Sequence, residues 1–448
     1  MLRRMYGSAR AKTFRRIDVN RAESNLGPLM RPLVVLALVS LLGALALAYG
    51  LLLEEARDPI RVGVLHSLTG TMAISERAVV DATLLAIDEV NRSGGVLGRP
   101  VEAIVRDGAS DWPTFAREAE RLILQDRAAA TFGCWTSASR KHVKPIVERH
   151  RHLLFYPLQY EGLEQSPYIV YTGAAPNQQI IPAVRWAADN LGRRFYLVGS
   201  DYVFPRTANA IIRDVVGILG GAVVGEDYLL LGSRETRPIV ERIQRADPDV
   251  ILNTINGDSN IAFFEDLRRA GVTPDKVPTM SFSIAETELS SMNRAHVAGN
   301  YAAWNYFQSI EREENRAFLR SLHAAYGTSR VAADPMEAAY VGVHLWALAV
   351  TDARTTHTPA VRRALADQSY PGPQGVVYVD PETQHTWKMV RIGRIRPDGQ
   401  FDIVWESGKP VRPAPYPSSR ARADWDAFLD ALYNGWRGWT NPGVDASR

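Results

Sequence analysis

Three polar loops each follow an apolar run of the kind that forms a buried strand. They are Gly199–Arg206, Phe132–Ser137 and Thr254–Asp258. In an open α/β sheet, ligands bind beyond the carboxyl ends of the strands, where loops lead into helices. The three loops combine hydroxyls, carboxylates and aromatic rings, which are groups that hold a small polar solute. Together they predict a binding cleft rather than one decorated turn.

The elements that position these loops alternate between strand and helix patterns. Ile60–Leu65 is predicted to be a buried strand, and residues 76–92 place apolar side chains on one helical face. The alternation continues to Ala270, which implies parallel sheets with helices on both faces. Seven predicted strands before that residue favour two doubly wound lobes. From Gly375 the pattern changes and predicts antiparallel additions.

Composition limits the classes of partner. The chain has 448 residues, with 46% hydrophobic and 23% charged, and a formal net charge of +3. The first 32 residues hold eight Lys or Arg against two Asp or Glu, so the remainder is slightly acidic. We therefore expect no nucleic-acid partner. The single cysteine, Cys134, excludes an intramolecular disulfide and a multi-thiolate metal site.

An apolar segment, Leu33–Leu53, is long enough to cross a bilayer as a helix and carries no charge. Basic residues 1–32 precede it, and Glu54, Glu55 and Asp58 follow it. This asymmetry predicts a cytoplasmic N-terminus and an exported remainder. The small residues from Ala44 to Ala48 favour signal cleavage, with a start at Met30 as an option, whereas the run to Leu53 favours an uncleaved anchor.

Motifs for catalysis or cofactors are absent from the sequence. It contains no phosphate-binding loop with Lys-Ser/Thr and no Gly-x-Ser-x-Gly nucleophile elbow. Its nine histidines show no metal-ligand spacing, so we expect neither a metal nor a cofactor. Cys134 could serve as a nucleophile of an amide hydrolase, but its position between Gly133 and Trp135 fits a small buried side chain better.

Each candidate residue in these loops is also of a type that commonly has a purely structural role. Ser67, Thr69 and Thr71 are also typical of helix caps and turns, and Ser137 of a cap. Asp258 fits the N-cap of the next helix as well as a ligand contact. Each aromatic residue on its own is more often part of a core. What favours binding is that all of these residues lie at the carboxyl ends of predicted strands.

At these residues the sequence resembles exported solute-binding proteins of the branched-chain amino acid type. Within that family it resembles the ABC-transporter branch that binds urea and short aliphatic amides. At Trp135, Phe204 and Leu158 it follows the urea-transport pattern rather than that of an amide sensor. The resemblance covers about residues 59–415 and rests on seven segments: Leu65–Glu76, Gly133–Lys141, Phe155–Gly162, Tyr171–Gln179, Gly199–Arg206, Ile255–Asn260 and Ala303–Gln308.

The resemblance implies a type I periplasmic binding protein fold, with two α/β lobes closing on the ligand about a hinge of three crossings. It assigns residues 58–176 and 302–374 to lobe 1, and 177–301 and 375–448 to lobe 2. It also implies a set of ligand-binding candidates. These are Ser67, Trp135, Thr136, Ser137, Tyr156, Gln159, Tyr202, Phe204 and Asp258.

Urea suits such a set because it is planar and neutral, with one carbonyl acceptor and four N–H donors. Asp258 and Gln159 would accept its N–H groups, Ser137 would donate to its carbonyl, and Trp135 and Tyr202 would sandwich its faces. An amino acid would instead need the Asp201–Arg206 pair as its clamp. The expected function is non-enzymatic capture of urea or a short amide for ABC permease subunits. A tethered sensor and a branched-chain amino acid binding protein are the alternatives.

Overall fold

The computed structural model describes residues 35–45 and 58–442, in two units divided at Asp58. In the first unit, residues 35–45 form a helix, α1, with exposed side chains. No helix among the described residues has both the length and the apolar character needed to cross a membrane. Residues 1–34 and 46–57, which include both ends of the predicted membrane segment and most of its flanks, lie outside the described residues. The membrane segment therefore stays a prediction.

The second unit begins with a five-stranded parallel sheet, here the first sheet, in the order β2-β1-β3-β4-β5. Every residue of β1 except Arg61 is buried. Because successive strand residues point to opposite faces, this burial shows that helices cover both faces. The strands are β1 (Ile60–His66), β2 (Val101–Asp107), β3 (Thr131–Gly133), β4 (Leu154–Tyr156) and β5 (Ile169–Tyr171).

A second sheet has seven strands in the order β15-β14-β10-β9-β8-β6-β7. Its strands pair in parallel except at β14 and β15, which run antiparallel. A small antiparallel sheet contains β11, β12 and β13. The remaining strands are β6 (Arg194–Ser200), β7 (Ala222–Leu229), β8 (Val250–Thr254), β9 (Thr279–Ser281), β10 (Tyr301–Trp304), β11 (Ser369–Gly372), β12 (Gly375–Val379), β13 (Thr386–Trp387), β14 (Arg391–Ile395) and β15 (Phe401–Glu406).

Helices connect the strands and begin at recognisable caps. The Asp111 carboxylate accepts the Thr114 amide at 3.0 Å and so caps the second helix of the first sheet. The helices of the second unit are α2 (Ala73–Arg92), α3 (Trp112–Leu124), α4 (Ser137–Arg149), α5 (Ile180–Asn190), α6 (Val203–Ile218), α7 (Arg237–Ala246), α8 (Ser259–Arg269), α9 (Glu286–Leu289), α10 (Arg294–Val297), α11 (Glu313–Tyr326), α12 (Asp334–Ala353), α13 (Thr358–Leu365) and α14 (Arg422–Trp436).

The predicted α/β architecture with parallel sheets is confirmed, as are the antiparallel additions near the C-terminus. The sequence pattern predicts a helix from Thr207, but α6 begins at Val203. Pro205 does not prevent this earlier start, since the first turn of a helix makes no use of its amide groups. The polar loop after β6 is therefore reduced to Asp201 and Tyr202.

The chain passes between the two sheets after β5, after β10 and before β14. Between the last two crossings, α11 and α12 pack against α2 of the first sheet. Residues 302–304, assigned to lobe 1 from the sequence, lie in β10 of the second sheet because β10 pairs with β9. The division into lobes 1 and 2 at the other boundaries stays a prediction.

Candidate ligand-binding site

Loops from the carboxyl ends of both parallel sheets meet and bury one another. The Gln159 side chain, after β4, donates to the carbonyl of Phe282, after β9, across 2.9 Å. Ser75 in α2 donates to Glu288 in α9 across 2.6 Å. These two hydrogen bonds join the first sheet's loops to those of the second. Loops of the two sheets are therefore in direct contact.

Trp135 follows a tight turn at the end of β3. A Cβ added to Gly133 would lie 2.1 Å from the Leu65 carbonyl oxygen, so only glycine fits there. The Trp135 side chain is buried, and its main-chain carbonyl accepts the Tyr156 hydroxyl at 2.7 Å. The indole Nε1 is buried and has no hydrogen-bond partner among the described residues. The turn thus presents one unused donor.

Gln159 and Asp258 each present an unused acceptor. Gln159 donates through Nε2, but its Oε1 is buried and meets no donor from residues 58–442. Asp258 occupies the N-cap position of α8, yet its side chain makes no capping hydrogen bond. Its Oδ1 is also buried and unpartnered within the described part of the chain. The cap role considered for Asp258 is therefore not filled. We call Trp135, Gln159 and Asp258 the unpaired set.

The predicted hydroxyl groups are already engaged in the protein. The Thr136 hydroxyl caps α4 by accepting the Ser139 amide at 3.0 Å. Ser67 accepts the Ser110 amide at 3.1 Å. Ser137 donates to Glu161 through a short hydrogen bond. We call these three residues the framework, because their hydroxyl groups are engaged within the protein.

Tyr202 and Phe204 approach the site from the second sheet. Both are almost completely buried, and their ring centroids lie 6.3 Å apart. Phe204 lies in the first turn of α6, within the core of the second sheet. Burial raises the pKa of Tyr202, and the nearby Tyr156 and Glu161 side chains add to that effect. Tyr202 therefore stays neutral.

A buried ionic network lies directly beneath Tyr156. Arg140 in α4 contacts Glu161 at 3.1 Å and Glu164 at 2.9 Å, and Lys141 contacts Glu164 at 3.2 Å. Burial opposes the charge of Glu164, but Arg140 and Lys141 hold its pKa well below the usual range. The Arg140 guanidinium also lies 4.7 Å from the Tyr156 ring centroid. We call Arg140, Lys141, Glu161 and Glu164 the ionic network.

Cys134 is unsuited to nucleophilic catalysis. Its side chain is fully buried, and burial together with the charge of Glu76 raises the pKa of the thiol. A protonated thiol is a poor nucleophile. The structure agrees with the small buried side chain expected from the sequence.

The sequence reasoning missed a buried pair, His66 and Glu76. His66 Nδ1 lies 3.0 Å from Glu76 Oε2, which also accepts the Ser67 amide at 2.8 Å. Both side chains are fully buried. The pair joins the last residue of β1 to the first turn of α2. A polar residue at the end of β1 and another in the first turn of α2 could have indicated this pair from the sequence.

Asp201 and Arg206, the amino-acid clamp weighed from the sequence, bind each other at 2.7 Å. Arg206 also stacks 3.6 Å from the Tyr228 ring centroid. The Asn441 side chain donates to the second oxygen of Asp201 at 2.5 Å. Both charges are therefore engaged within the protein.

Residues 437–442, the C-terminal strap, bridge the two sides of the cleft. The Trp439 carbonyl accepts the Val203 amide at 3.0 Å, which places the strap beside Tyr202. On the other side, Trp112 Nε1 in α3 donates to Thr440 Oγ1 at 2.9 Å. The Lys141 ammonium group lies 4.5 Å from the Trp439 ring centroid. The strap therefore links elements of both sheets.

Comparisons with known proteins agree with this architecture. A Leu/Ile/Val-binding protein homolog 6 from Brucella melitensis is 23% identical over 349 residues, which span 75% of this chain and 88% of that protein. A solute-binding protein of an ABC transporter from Rhodopseudomonas palustris BisB5, solved with 3,4-dihydroxybenzoic acid, has a TM-score of 0.72 at 21% identity. That match covers 78% of this chain and 97% of the other.

A shorter match is to limonene hydroxylase from Geobacillus stearothermophilus, 33% identical over 124 residues. It spans 28% of this chain and 23% of that protein. The family model described as the periplasmic binding protein domain matches residues 60–422. The chain therefore belongs to the periplasmic binding protein family, whose members bind solutes without transforming them.

Proposed function

We propose that this protein captures urea or a short-chain amide outside the cytoplasm and presents it to the permease subunits of an ABC transporter. The observation that carries the proposal is the unpaired set. These residues keep an unused N–H donor and two unused oxygen acceptors in the loops that follow β3, β4 and β8, at the carboxyl ends of strands of both sheets. A buried polar atom without a partner costs about 1–3 kcal/mol, so a ligand that supplies the partners gains that energy.

An amide or urea has the complementary groups in one planar molecule. Its carbonyl would accept from Trp135 Nε1, and its N–H groups would donate to Gln159 Oε1 and Asp258 Oδ1. Tyr202 would contact one face of the ligand, opposite the Trp135 ring. Ser137, expected from the sequence to donate to the carbonyl, is bound to Glu161 and would act by holding this side of the cleft in place.

Carboxylate ligands such as amino acids or benzoates fit the site less well. They would need a cation free to bind them. Arg206 is engaged with Asp201, and Arg140 is engaged with two carboxylates. An added carboxylate would also approach Asp258, a further negative charge. These contacts argue against carrying over the dihydroxybenzoate ligand of the Rhodopseudomonas protein.

Titration calorimetry of the purified full-length protein tests the proposal, with urea, acetamide, leucine and 3,4-dihydroxybenzoate as ligands. We expect urea or acetamide to bind most tightly, and no ammonia to be released during incubation. Leucine or dihydroxybenzoate as the best ligand would contradict the proposal. Release of ammonia would contradict a purely binding role.

We also propose that Leu33–Leu53 holds the protein at the outer face of the cytoplasmic membrane. The basic residues before this segment and the acidic residues after it support that orientation. N-terminal sequencing of the protein from the membrane fraction tests the proposal, since an uncleaved anchor leaves the first residues in place. A mature N-terminus near Tyr49 in the soluble fraction would show a cleaved signal instead.

A further inference from the structure

His66 and Glu76 carry unused polar atoms of their own. Glu76 Oε2 is occupied by His66 and by the Ser67 amide. Glu76 Oε1 and His66 Nε2 are buried and have no hydrogen-bond partner among residues 58–442. A pair with a structural role alone would satisfy these atoms, because unpaired buried polar groups are destabilising. The pair therefore resembles the unpaired set rather than the framework.

The hydrogen bonds of the pair leave one oxygen of Glu76 unused. A carboxylate accepts, so His66 Nδ1 and the Ser67 amide both donate to Glu76 Oε2. Glu76 Oε1 remains as an unused acceptor.

The pair lies where the two sheets meet. Glu76 adjoins Ser75, whose hydroxyl donates to Glu288 in α9 of the second sheet's side. On the first sheet's side, the Cys134 amide donates to the Leu65 carbonyl at 2.9 Å, which places the turn before Trp135 beside His66. The pair thus adjoins the Trp135 turn on one side and the contact with α9 on the other.

We propose that His66 and Glu76 belong to the ligand site and select a ligand with N–H groups on both sides of its carbonyl. This inference rests on the proposed function and sharpens it. Glu76 Oε1 and the unpaired set together offer three acceptors and one donor, more acceptors than the two N–H groups of acetamide can fill. Urea supplies four N–H donors and one carbonyl, whereas acetamide supplies two N–H donors and a methyl group. The site therefore favours urea over acetamide.

The test measures urea and acetamide affinities by calorimetry for the full-length protein and its Glu76→Gln variant. Glutamine keeps the shape of the side chain but replaces one acceptor with a donor. We expect urea affinity to fall about tenfold and acetamide affinity to fall less, so the ratio of the two affinities falls. A change that only disturbed packing would weaken both ligands equally and leave the ratio unchanged.

Glu118→Gln is the matched control, because Glu118 is a buried carboxylate in α3 whose partner is Arg121. It is expected to leave both affinities unchanged. If Glu76→Gln does not fold, the His66→Gln variant is measured instead. The ratio of urea affinity to acetamide affinity is again expected to fall. Unchanged ratios in a folded Glu76 or His66 variant would overturn the inference while leaving the proposed function intact. Failure of the unaltered protein to bind either ligand would overturn both.

Discussion

Two groups of polar side chains, the ionic network and the unpaired set, differ in how their buried atoms are paired. In the ionic network each charged group contacts an opposite charge within 3.2 Å. In the unpaired set each residue keeps a buried donor or acceptor without a partner among the described residues. Since a protein gains no stability from an unpaired buried group, this difference supports the proposal that the second group binds a ligand while the first stabilises the fold.

The largest expected effect follows removal of a charge from the ionic network. Arg140→Met leaves Glu161 and Glu164 buried without their main partner and is expected to cost about 3–5 kcal/mol of unfolding free energy. Guanidinium chloride denaturation measures this, because urea is the proposed ligand. Arg149→Met, at an exposed pair with Glu120, is the control and should cost under about 1 kcal/mol. Equal losses of unfolding free energy in the two variants would show that the buried network stabilises the fold no more than an exposed ion pair does.

Acidification should lower the unfolding free energy of the protein, because two buried histidines stay neutral in the fold. His385 packs beside the network, where Nε2 lies 2.5 Å from the Tyr160 hydroxyl. Burial lowers the pKa of His385 to about 4 and likewise lowers that of His152 to about 4. Their unfolded values are near 6.5, so the neutral rings add stability above pH 6.5, and this is lost as pH falls towards 4.

The expected loss is on the order of 3 kcal/mol for each histidine. Thermal unfolding between pH 7 and pH 4 measures it. In a His152→Gln variant the slope of stability against pH should become shallower. An unchanged slope would show that this ring does not titrate on unfolding.

Changes in the unpaired set should separate binding from stability. Asp258→Ala and Trp135→Phe each remove one proposed ligand contact and are expected to weaken urea binding about tenfold or more. Asp258→Ala should leave the melting temperature of the ligand-free protein unchanged or higher, because it removes an unsatisfied buried acceptor. A large fall in melting temperature with undiminished affinity would place Asp258 in the framework.

The smallest expected effect concerns the C-terminal strap. Thr440→Val removes the acceptor for Trp112 Nε1 with little change in shape. One hydrogen bond that joins the two sides of the cleft contributes about 0.5–1.5 kcal/mol to the closed form. Ligand affinity, measured by calorimetry, should fall about twofold to tenfold. An unchanged affinity would show that the strap does not contribute to closure.

Periodicity predicted most of the fold. The patterns predict helices over Ser137–Arg149 and Arg237–Ala246 and a strand over Val250–Thr254, and these are the bounds of α4, α7 and β8. The start of α6 lies four residues before the predicted Thr207, with Pro205 in its first turn, where a helix tolerates proline. The strap was not predicted, because Trp112 and Thr440 are 328 residues apart and only the fold brings them together.

The sequence predicted which loops form the candidate site, but not what each residue does in it. The patterns identified the loops of Trp135, Gln159 and Asp258, since the carboxyl ends of parallel strands share one edge of a sheet. They did not distinguish Thr136, a helix cap, from Trp135, its neighbour with an unused donor. Hydrogen-bond pairing depends on the positions of partners distant in sequence, which residue types alone do not encode. His66 and Glu76 are a different case, because they are only 10 residues apart and their polar types at the end of β1 and the start of α2 could have indicated the pair.

A crystal structure of the protein with urea tests the central claim most directly. We expect urea to lie between the two sheets. Its carbonyl oxygen should lie about 2.7–3.2 Å from Trp135 Nε1, and its nitrogens should lie at similar distances from Gln159 Oε1 and Asp258 Oδ1. Urea bound elsewhere, with these three atoms still unpartnered or filled only by water, would contradict the account.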